Sequence, residues 1–496
     1  MLKESESNNM QSTTHSHPPT LKIFFGTEMW ERYGFYVVQT LLALYLALHF
    51  NWDDKRVYAL VSSFTAITYL SPVVGGYIAD HLLGQKRSII AGAVILFISY
   101  IAIACSTTDT FLTASLAGVA LGTGLLKPNI SSLLGNEYPI GSSKRESGFT
   151  IFYMGITTGI ILGTTIPSYL QEYFSWSVAF ASASFGLVIA IIIFSFGIYH
   201  FSIKDYHPYK FQLKKIIYAS LLMILLWITT YYILNFPKIS DTAFITVVIL
   251  SLAYLLYCVR FEHKIQAKKT MVILILCIIS VTFWAFYFQM FLSLTLFIAR
   301  VVEPNFLGIK FAPPYYVGIQ SIGMIFFGLL ITTRHKKKVN KNQYEIMTGN
   351  KFIFAMILMS ISYALITISC YLGPSYSLLS PLYIIPSYLI ISLAELLLSP
   401  VGLSAITTLA SPKKVSTMMG IFLVSLGIGG FLSGKLAKLT AMPIGKFSTS
   451  HLKMHYASSF LNLFYILLCT TIICIVLNLI IKWLMSKPKT IIKKSY

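Results

Sequence analysis

Long apolar segments follow one another along almost the whole chain, and short polar or basic stretches separate them. A helix that spans a membrane needs about 20 mostly apolar residues, and we count fourteen such segments in the sequence. They lie at about residues 23–50, 57–80, 88–106, 110–134, 148–170, 177–199, 213–234, 242–260, 271–299, 314–333, 351–372, 380–409, 415–440 and 457–485. The pattern therefore predicts an all-α protein that crosses a bilayer many times.

Composition and charge agree with this prediction. Of the 496 residues, 56% are hydrophobic and 11% are charged, whereas an ordinary soluble domain has about 25% charged residues. The formal net charge of +21 comes from basic clusters between the apolar segments, for example at 84–87, 143–145 and 334–341. Such clusters lie beside anionic headgroups on the cytoplasmic side. We therefore expect both termini in the cytoplasm and contact with membrane lipids, but no binding of nucleic acid.

A few charged residues lie inside the apolar segments, where each costs about 2.5 to 3.5 kcal/mol on insertion scales unless it has a partner or a wet cavity. Glu28, Glu31 and Arg32 share one helical face in EMWER, with Glu28 and Arg32 in the favourable i, i+4 order. The alternative interpretation is a helix cluster that neutralises itself so that the segment inserts. Three ionisable groups are an expensive route to neutrality, so we favour a functional site.

Lys127 and Glu395 are the other two charges within apolar segments, and a proline follows each of them. Lys127 stands in LGTGLLKPN before Pro128, and Glu395 stands in SLAELLLSPVGLS before Pro400. Proline removes a helical hydrogen bond and tends to kink a helix, which favours a polar cavity nearby. The alternative for Lys127 is that its ammonium reaches the membrane interface. Glu395 should either meet a cation from another helix or be protonated by desolvation.

All five charges fit one central aqueous site with a positive and a negative pole. A zwitterion would match it with its carboxylate toward Arg32 and Lys127 and its ammonium toward Glu395. A carboxylate in this site that changes its protonation could couple a proton flow to transport.

Several motifs resemble those of the proton-dependent oligopeptide transporters, a branch of the major facilitator superfamily. EMWERYGFY is similar to the ExxERFxYY signature of the first helix in that family. The similarity continues in YLSPVVGGYIADHLLGQKR, GTGLLKPNISSLLGNEY, IFYMGITTG, FWAFYFQ and ELLLSPVGLSAITTLASPKKVSTMMG. In order and spacing it extends over about residues 20 to 440.

The resemblance implies a major facilitator fold, with two six-helix bundles around a central cavity and two extra helices between them, as in prokaryotic members. The chain would then divide into a polar cytoplasmic N-terminus (1–22), a first bundle (23–200), a linker with two spanning helices (201–270), a second bundle (271–486) and a basic cytoplasmic tail (487–496). It would lie in the inner membrane of a bacterial cell, act as a monomer and need no cofactor or metal.

The resemblance also implies roles for individual residues. By analogy, Arg32 and Lys127 bind a peptide carboxylate, Glu395 receives the amino terminus, and Tyr36 and Tyr69 hydrogen-bond the substrate. We further place Thr157, Gln289 and Phe422 in the substrate pocket. Proton coupling is assigned to Glu28, Glu31, Arg32, Lys127 and Glu395. A gating or structural role is assigned to Asp80, Arg87, Pro128 and Pro400, and Asp80 with Lys86 and Arg87 would form a cytoplasmic charge cluster.

The chain departs from the family pattern at several pocket positions. The family usually has a glutamate before the glutamine of its seventh core helix, and here Phe288 precedes Gln289. Phe35 replaces a signature tyrosine, and Phe422 stands where the family has a tryptophan. Pocket asparagines align with Thr157 and Gly323. We therefore expect a less polar pocket, and a proton carried by Glu28, Glu31 or Glu395.

We expect proton-coupled symport of di- and tripeptides into the cytoplasm by alternating access. Two alternatives remain at this point. The same fold could carry an amino acid, another small zwitterion or an organic anion, or the buried Glu and Lys could serve a membrane-embedded enzyme as acid and base. No P-loop, HExxH or GxSxG motif supports ATP-driven transport or a hydrolase.

Overall fold

The computed structural model describes residues 17–138, 143–201, 203, 205, 212–306, 308–334, 341–373, 377–411, 414–443, 445 and 447–485. Most of the predicted polar N-terminus and the whole predicted basic tail lie outside this part, as does most of the basic stretch 334–341. Within the described part the chain is almost entirely helical. The strands found there are a two-residue antiparallel pair, Asn305–Phe306 with Ile309–Lys310.

The described residues form fifteen α-helices, which we number in chain order. They are α1 Thr20–Leu44, α2 Asp54–Ile78, α3 Gln85–Ala104, α4 Asp109–Asn136, α5 Ser143–Tyr173, α6 Trp176–His200, α7 Leu213–Asn235, α8 Pro237–Phe261, α9 Lys264–Tyr287, α10 Ser293–Val301, α11 Pro313–Arg334, α12 Lys341–Leu372, α13 Ile385–Leu409, α14 Val415–Ala437 and α15 Thr449–Met485. Helices α9 and α10 belong to one span, Lys264–Val301. Each of the fourteen predicted segments therefore corresponds to one helical segment of the structure.

Twelve of these spans are long and apolar enough to cross a membrane by length and composition alone. The other two are α1 and α11. Helix α1 is 25 residues long and carries Glu28, Glu31 and Arg32 near its middle. Several helices begin at the residues that favour a start: the Asp53 side chain accepts a hydrogen bond from the Arg56 amide at the start of α2, and Pro237 is the first residue of α8.

The ninth span differs from its prediction as one continuous helix over 271–299. A 3₁₀ turn, Phe288–Phe291, separates α9 from α10. Polar side chains near the break bind carbonyl oxygens that would otherwise lie in an apolar environment. Gln289 Nε2 donates to the carbonyl oxygens of Ala285 and Ser433 at 3.2 and 2.7 Å, and Thr295 Oγ1 donates to that of Met290. Neither proline nor glycine marks the break in the sequence.

Buried side chains form two large apolar clusters. One contains residues of α1 to α6, joined by a few side chains from later helices. The other contains residues of α9 to α15, joined by two side chains of α8. We call these groups of helices the first half and the second half. Helix α7 packs against α2 and α4 of the first half, α8 packs against α9 and α14 of the second half, and both helices remain largely exposed.

Helix α1 begins and α15 ends at the same end of the molecule, because each span reverses the direction of the chain. We call this the termini end and the other the opposite end. Asp80 and Arg87 lie at the termini end, in the turn between α2 and α3, where Gly84 adopts a φ of 83°. Both side chains are exposed, and the predicted role of this charge cluster stays a prediction.

Candidate functional site

A cavity of about 330 Å³ lies between the two halves in the middle of the molecule. Four helices of each half contribute to its wall: α1, α2, α4 and α5 from the first half, and α9, α11, α13 and α14 from the second. Its size falls in the range of small-molecule sites, which is about 300 to 1,000 Å³. The cavity is therefore a shared surface of both halves.

Helix α1 places three charges at the cavity wall. Arg32 binds Glu31 through two hydrogen bonds, from Nε at 2.5 Å and from Nη2 at 2.6 Å. The Glu28 carboxylate lies farther away, with 3.5 Å between Oε1 and Arg32 Nε. The sequence pattern indicated Glu28 as the main partner of Arg32, whereas the structure shows the bidentate pair with the adjacent Glu31. All three side chains are at most 4% exposed, so their charges depend on one another.

Lys127 enters the cavity from α4, which continues through Pro128. Its ammonium lies 4.8 Å from the centre of the Tyr69 ring, in the range of cation–π contacts. Within the described residues it makes no ion pair within 4.0 Å. Lys127 therefore presents a positive charge to the cavity instead of reaching the membrane interface.

Glu395 enters from α13 on the other side of the cavity, and its helix continues through Pro400. Gln320 Nε2 donates a hydrogen bond of 2.6 Å to Glu395 Oε2, and the Tyr287 hydroxyl lies near the same carboxylate. Both groups are neutral. We predicted that Glu395 would either meet a cation from another helix or be protonated. Among the described residues it forms no ion pair within 4.0 Å, so no side chain of its own wall balances its charge.

Most of the predicted site residues line this one cavity. They are Glu28, Arg32, Tyr36, Tyr69, Lys127, Thr157, Glu395 and Phe422. Glu31 lies behind Arg32 and is fully buried. The placement of Gln289 in the pocket does not hold, because its side-chain amide is used at the break of the ninth span. Phe288 contacts the Tyr69 ring across the halves, with 5.5 Å between ring centres.

The sequence interpretation missed Gln320 and Tyr287, the two neutral polar groups beside Glu395. Each had a signal. Gln320 is an amide in an apolar segment, and such groups are costly in a membrane without a partner. Tyr287 stands in FWAFYFQ, one residue before Phe288. The sequence does not show the packing of α9, α11 and α13 that brings both groups to the same carboxylate.

Side-chain contacts join the two halves at the opposite end. Asp54, in the first turn of α2, accepts two hydrogen bonds of 2.7 Å from Arg300 in the last turn of α10. Both charges also suit the helix ends at which they lie. The Met442 amide donates to Asp54 at 2.9 Å, and Lys310 pairs with Glu172 near the same end. Asp54 is only 3% exposed, so water is largely excluded from this contact.

Contacts between α2 and α14 end before the termini end. Side chains of α2 lie beside Gly434, Gly430 and Gly427 of α14. Farther along, no atom of the described residues would lie within 4 Å of a Cβ at Gly420 of α14 or Gly76 of α2. The two helices therefore touch toward the opposite end, and there is open space beside both glycines toward the termini end. The cavity is closed at the first of these ends and less tightly enclosed at the second.

A sequence model of the POT family matches residues 86–452. The chain belongs to the POT family. It is 28% identical over 476 residues to dipeptide and tripeptide permease B of Xenorhabdus bovienii (strain SS-2004), a match that covers 94% of this chain and 95% of the relative. It is also 28% identical over 432 residues to dipeptide and tripeptide permease A of Serratia proteamaculans (strain 568), covering 86% and 84%.

The fold agrees with this membership in the POT family. A solved structure that concerns substrate recognition in proton dependent oligopeptide transporters matches with a TM-score of 0.83 and 24% identity, covering 94% of this chain and 99% of that chain. A structure of a bacterial homologue of the human drug peptide transporters matches with a TM-score of 0.82 and 23% identity, covering 94% and 99%. The chain therefore has the major facilitator fold, and it is a multi-pass membrane transporter rather than an enzyme.

Proposed function

We propose that this chain carries di- and tripeptides into the cytoplasm together with protons, by alternating access. The observation that carries the proposal is the cavity shared by both halves, with Arg32 and Lys127 on one wall and Glu395 on the other. A zwitterionic peptide matches this arrangement when its carboxylate faces the cations and its ammonium faces Glu395. The named relatives, which are dipeptide and tripeptide permeases, support peptides as the substrate class.

The count of charges supports coupling to a proton. Arg32 and Lys127 are two cations, and Glu28, Glu31 and Glu395 are three carboxylates, so the fully ionised site has one net negative charge. A zwitterion adds no net charge, and one proton makes the loaded site neutral. Because a surplus charge inside a membrane protein is costly, binding of one proton lowers the barrier to movement of the loaded carrier.

In this mechanism each half keeps its own charges while the two halves rock against each other. The state described above is closed at the opposite end by the pair of Asp54 and Arg300 and open between α2 and α14 toward the termini end. With both termini in the cytoplasm, as the basic loops indicate, this is the state that releases peptide into the cell. Taking up a new peptide requires the Asp54 contacts to separate and the termini end to close.

The test is uptake of radiolabelled dialanine into liposomes that contain the purified protein, with and without an inward proton gradient. We expect saturable uptake that accumulates only with the gradient and is inhibited by unlabelled di- and tripeptides. Liposomes without protein give the background. Uptake that alanine or a small organic anion inhibits, and dipeptides do not, would assign the carrier to another substrate. Accumulation that is equal with and without the gradient would remove proton coupling.

A further inference from the structure

Helix α8 is tied to the second half at both of its ends. Near its first turn, Asp241 pairs with Lys435 of α14 at 2.6 Å. Just after its last turn, Glu262 pairs with Lys414 at 2.9 Å and also accepts a hydrogen bond from Thr270 of α9. The hydrogen bond to Glu262 raises the pKa of Lys414 above its usual value, which keeps the ammonium charged.

Between these two attachments, α8 stands away from the second half and leaves a groove of about 450 Å³. The residues that line the groove are almost all apolar. They come from α8, α9 and α14 and include Phe244, Ser251, Val281, Thr282, Ser425 and Phe431. Stacked rings of Phe244 and Phe431 lie at the end of the groove near Asp241, with 4.5 Å between their centres.

Two of the polar side chains in the groove, Thr282 and Ser425, form hydrogen bonds within the protein. Thr282 Oγ1 donates to the Ile278 carbonyl oxygen at 3.2 Å, and Ser425 Oγ lies 2.8 Å from Ser280 Oγ and 2.6 Å from the Phe422 carbonyl oxygen. A polar ligand would therefore gain little in the groove. Its three helices all span the membrane, and their side chains would lose dispersion contacts if the space between them stayed empty. The occupant that the bilayer supplies is hydrocarbon.

Exposed cations lie where α8 and α9 meet at the termini end. Arg260, Lys264 and Lys268 have exposed side chains, while the nearby carboxylate of Glu262 is already paired with Lys414. This surplus of positive charge complements an anionic headgroup, and anionic lipids attract such clusters at the cytoplasmic surface. We propose that one anionic phospholipid binds here, with an acyl chain in the groove and its headgroup at Arg260, Lys264 and Lys268.

Native mass spectrometry of the detergent-solubilised protein, titrated with phosphatidylglycerol or phosphatidylcholine, tests the acyl-chain part of this proposal. Val281→Trp fills the groove from α9, and Ser251→Trp fills it from α8 in case the first variant does not fold. Val476→Trp is the control, because Val476 is 52% exposed on α15 and lies outside the groove. We expect roughly tenfold weaker retention of phospholipid in a groove variant, since several buried methylenes lose their contacts, and no change in the control.

The headgroup part is tested with the triple substitution of Arg260, Lys264 and Lys268 to Gln. A control removes three other cations near the termini end, Lys22, Lys214 and Lys482, in the same way. We expect the first variant to lose its preference for phosphatidylglycerol over phosphatidylcholine and the control to keep it. Equal retention by the wild type and both tryptophan variants would overturn the groove as the binding site. Equal preference in both triple variants would overturn the assignment of the headgroup.

Discussion

In the first-half wall of the cavity, two cations lie beside two carboxylates, whereas the second-half wall contributes the single carboxylate of Glu395. Arg32 is held by two hydrogen bonds to Glu31, and Glu28 lies 3.5 Å away. Glu395 is held by Gln320 and Tyr287, which are both neutral. The charges of the first wall largely balance one another, whereas the charge of Glu395 is balanced only by a group from outside the protein.

The two walls therefore have different tasks: the first keeps its own charges balanced, and the second binds a substrate ammonium or a proton. Charges that balance within α1 and α4 keep the first half stable in any state of the carrier, because they move together. The charge of Glu395 is balanced only when a substrate ammonium or a proton arrives. Substitutions of the first-wall residues that pair with one another, Arg32 and Glu31, should therefore affect folding as well as transport, and substitutions of Glu395 should affect transport alone.

Arg32→Ala should have the largest effect. It leaves the carboxylates of Glu28 and Glu31 buried without their cation, and breaking a buried pair in this way costs about 3–5 kcal/mol. We expect a strong loss of thermal stability in detergent and no peptide uptake. The control is Arg56→Ala, because Arg56 pairs with Asp109 at the surface, where such pairs contribute about 0–1 kcal/mol. Equal melting temperatures of the two variants would contradict a balanced first wall.

Lys127→Ala should come next, with its effect confined to transport. Lys127 has no carboxylate partner within 4.0 Å among the described residues, so the folded state loses little. A charge-assisted hydrogen bond to the peptide carboxylate is worth about 1.5–3 kcal/mol, and we expect KM for dialanine to rise roughly 10- to 100-fold. Lys22→Ala, at an exposed position of α1, should leave KM unchanged. An unaltered KM for Lys127→Ala would remove it from the carboxylate site.

Glu395→Gln should lower uptake by about tenfold through loss of the charged contact with the ammonium and should leave the melting temperature close to that of the wild type. The proton gradient should also stimulate uptake less, because one carboxylate that can titrate is gone. Counterflow of labelled dialanine, which needs no gradient, measures the binding part separately. Full stimulation by the gradient in this variant would assign the proton to Glu28 or Glu31.

Gln320→Leu should have the smallest effect. It removes the hydrogen bond from Gln320 to Glu395 and leaves Tyr287 in place, so the carboxylate loses part of its orientation. A neutral hydrogen bond contributes about 0.5–1.5 kcal/mol, and we expect KM for dialanine to rise by a few fold. Gln320→Glu would place a second carboxylate beside Glu395 and should shift the pH dependence of uptake. Unchanged kinetics in both variants would show that Gln320 does not position Glu395.

Much of this site could be predicted from the sequence, because a charge in an apolar segment is conspicuous. Glu28, Arg32, Lys127 and Glu395 were identified in this way, and all four line the cavity. The fourteen spans followed from segment length, and their order was confirmed. These features depend on local composition alone, which explains why a single sequence was enough.

Features that depend on packing between helices were not predicted. The break at Phe288–Phe291 has no proline or glycine, and it is stabilised by the contact of Gln289 with Ser433 on another helix. Because the Gln289 side chain makes this contact, it does not line the cavity, and its placement in the substrate pocket was wrong. The pair of Asp54 and Arg300 joins residues 246 positions apart, and no spacing rule connects them. The positions of Gln320 and Tyr287 beside Glu395 likewise depend on packing between helices.

The most direct test of the two-wall account is binding of blocked peptides to the wild type, Lys127→Ala and Glu395→Gln, measured by calorimetry. Dialanine amide has no carboxylate, and N-acetyl-dialanine has no ammonium. We expect Lys127→Ala to weaken dialanine and N-acetyl-dialanine but not the amide, and Glu395→Gln to weaken dialanine and the amide but not N-acetyl-dialanine. Two variants that weaken all three ligands equally would contradict the assignment of one pole to each wall.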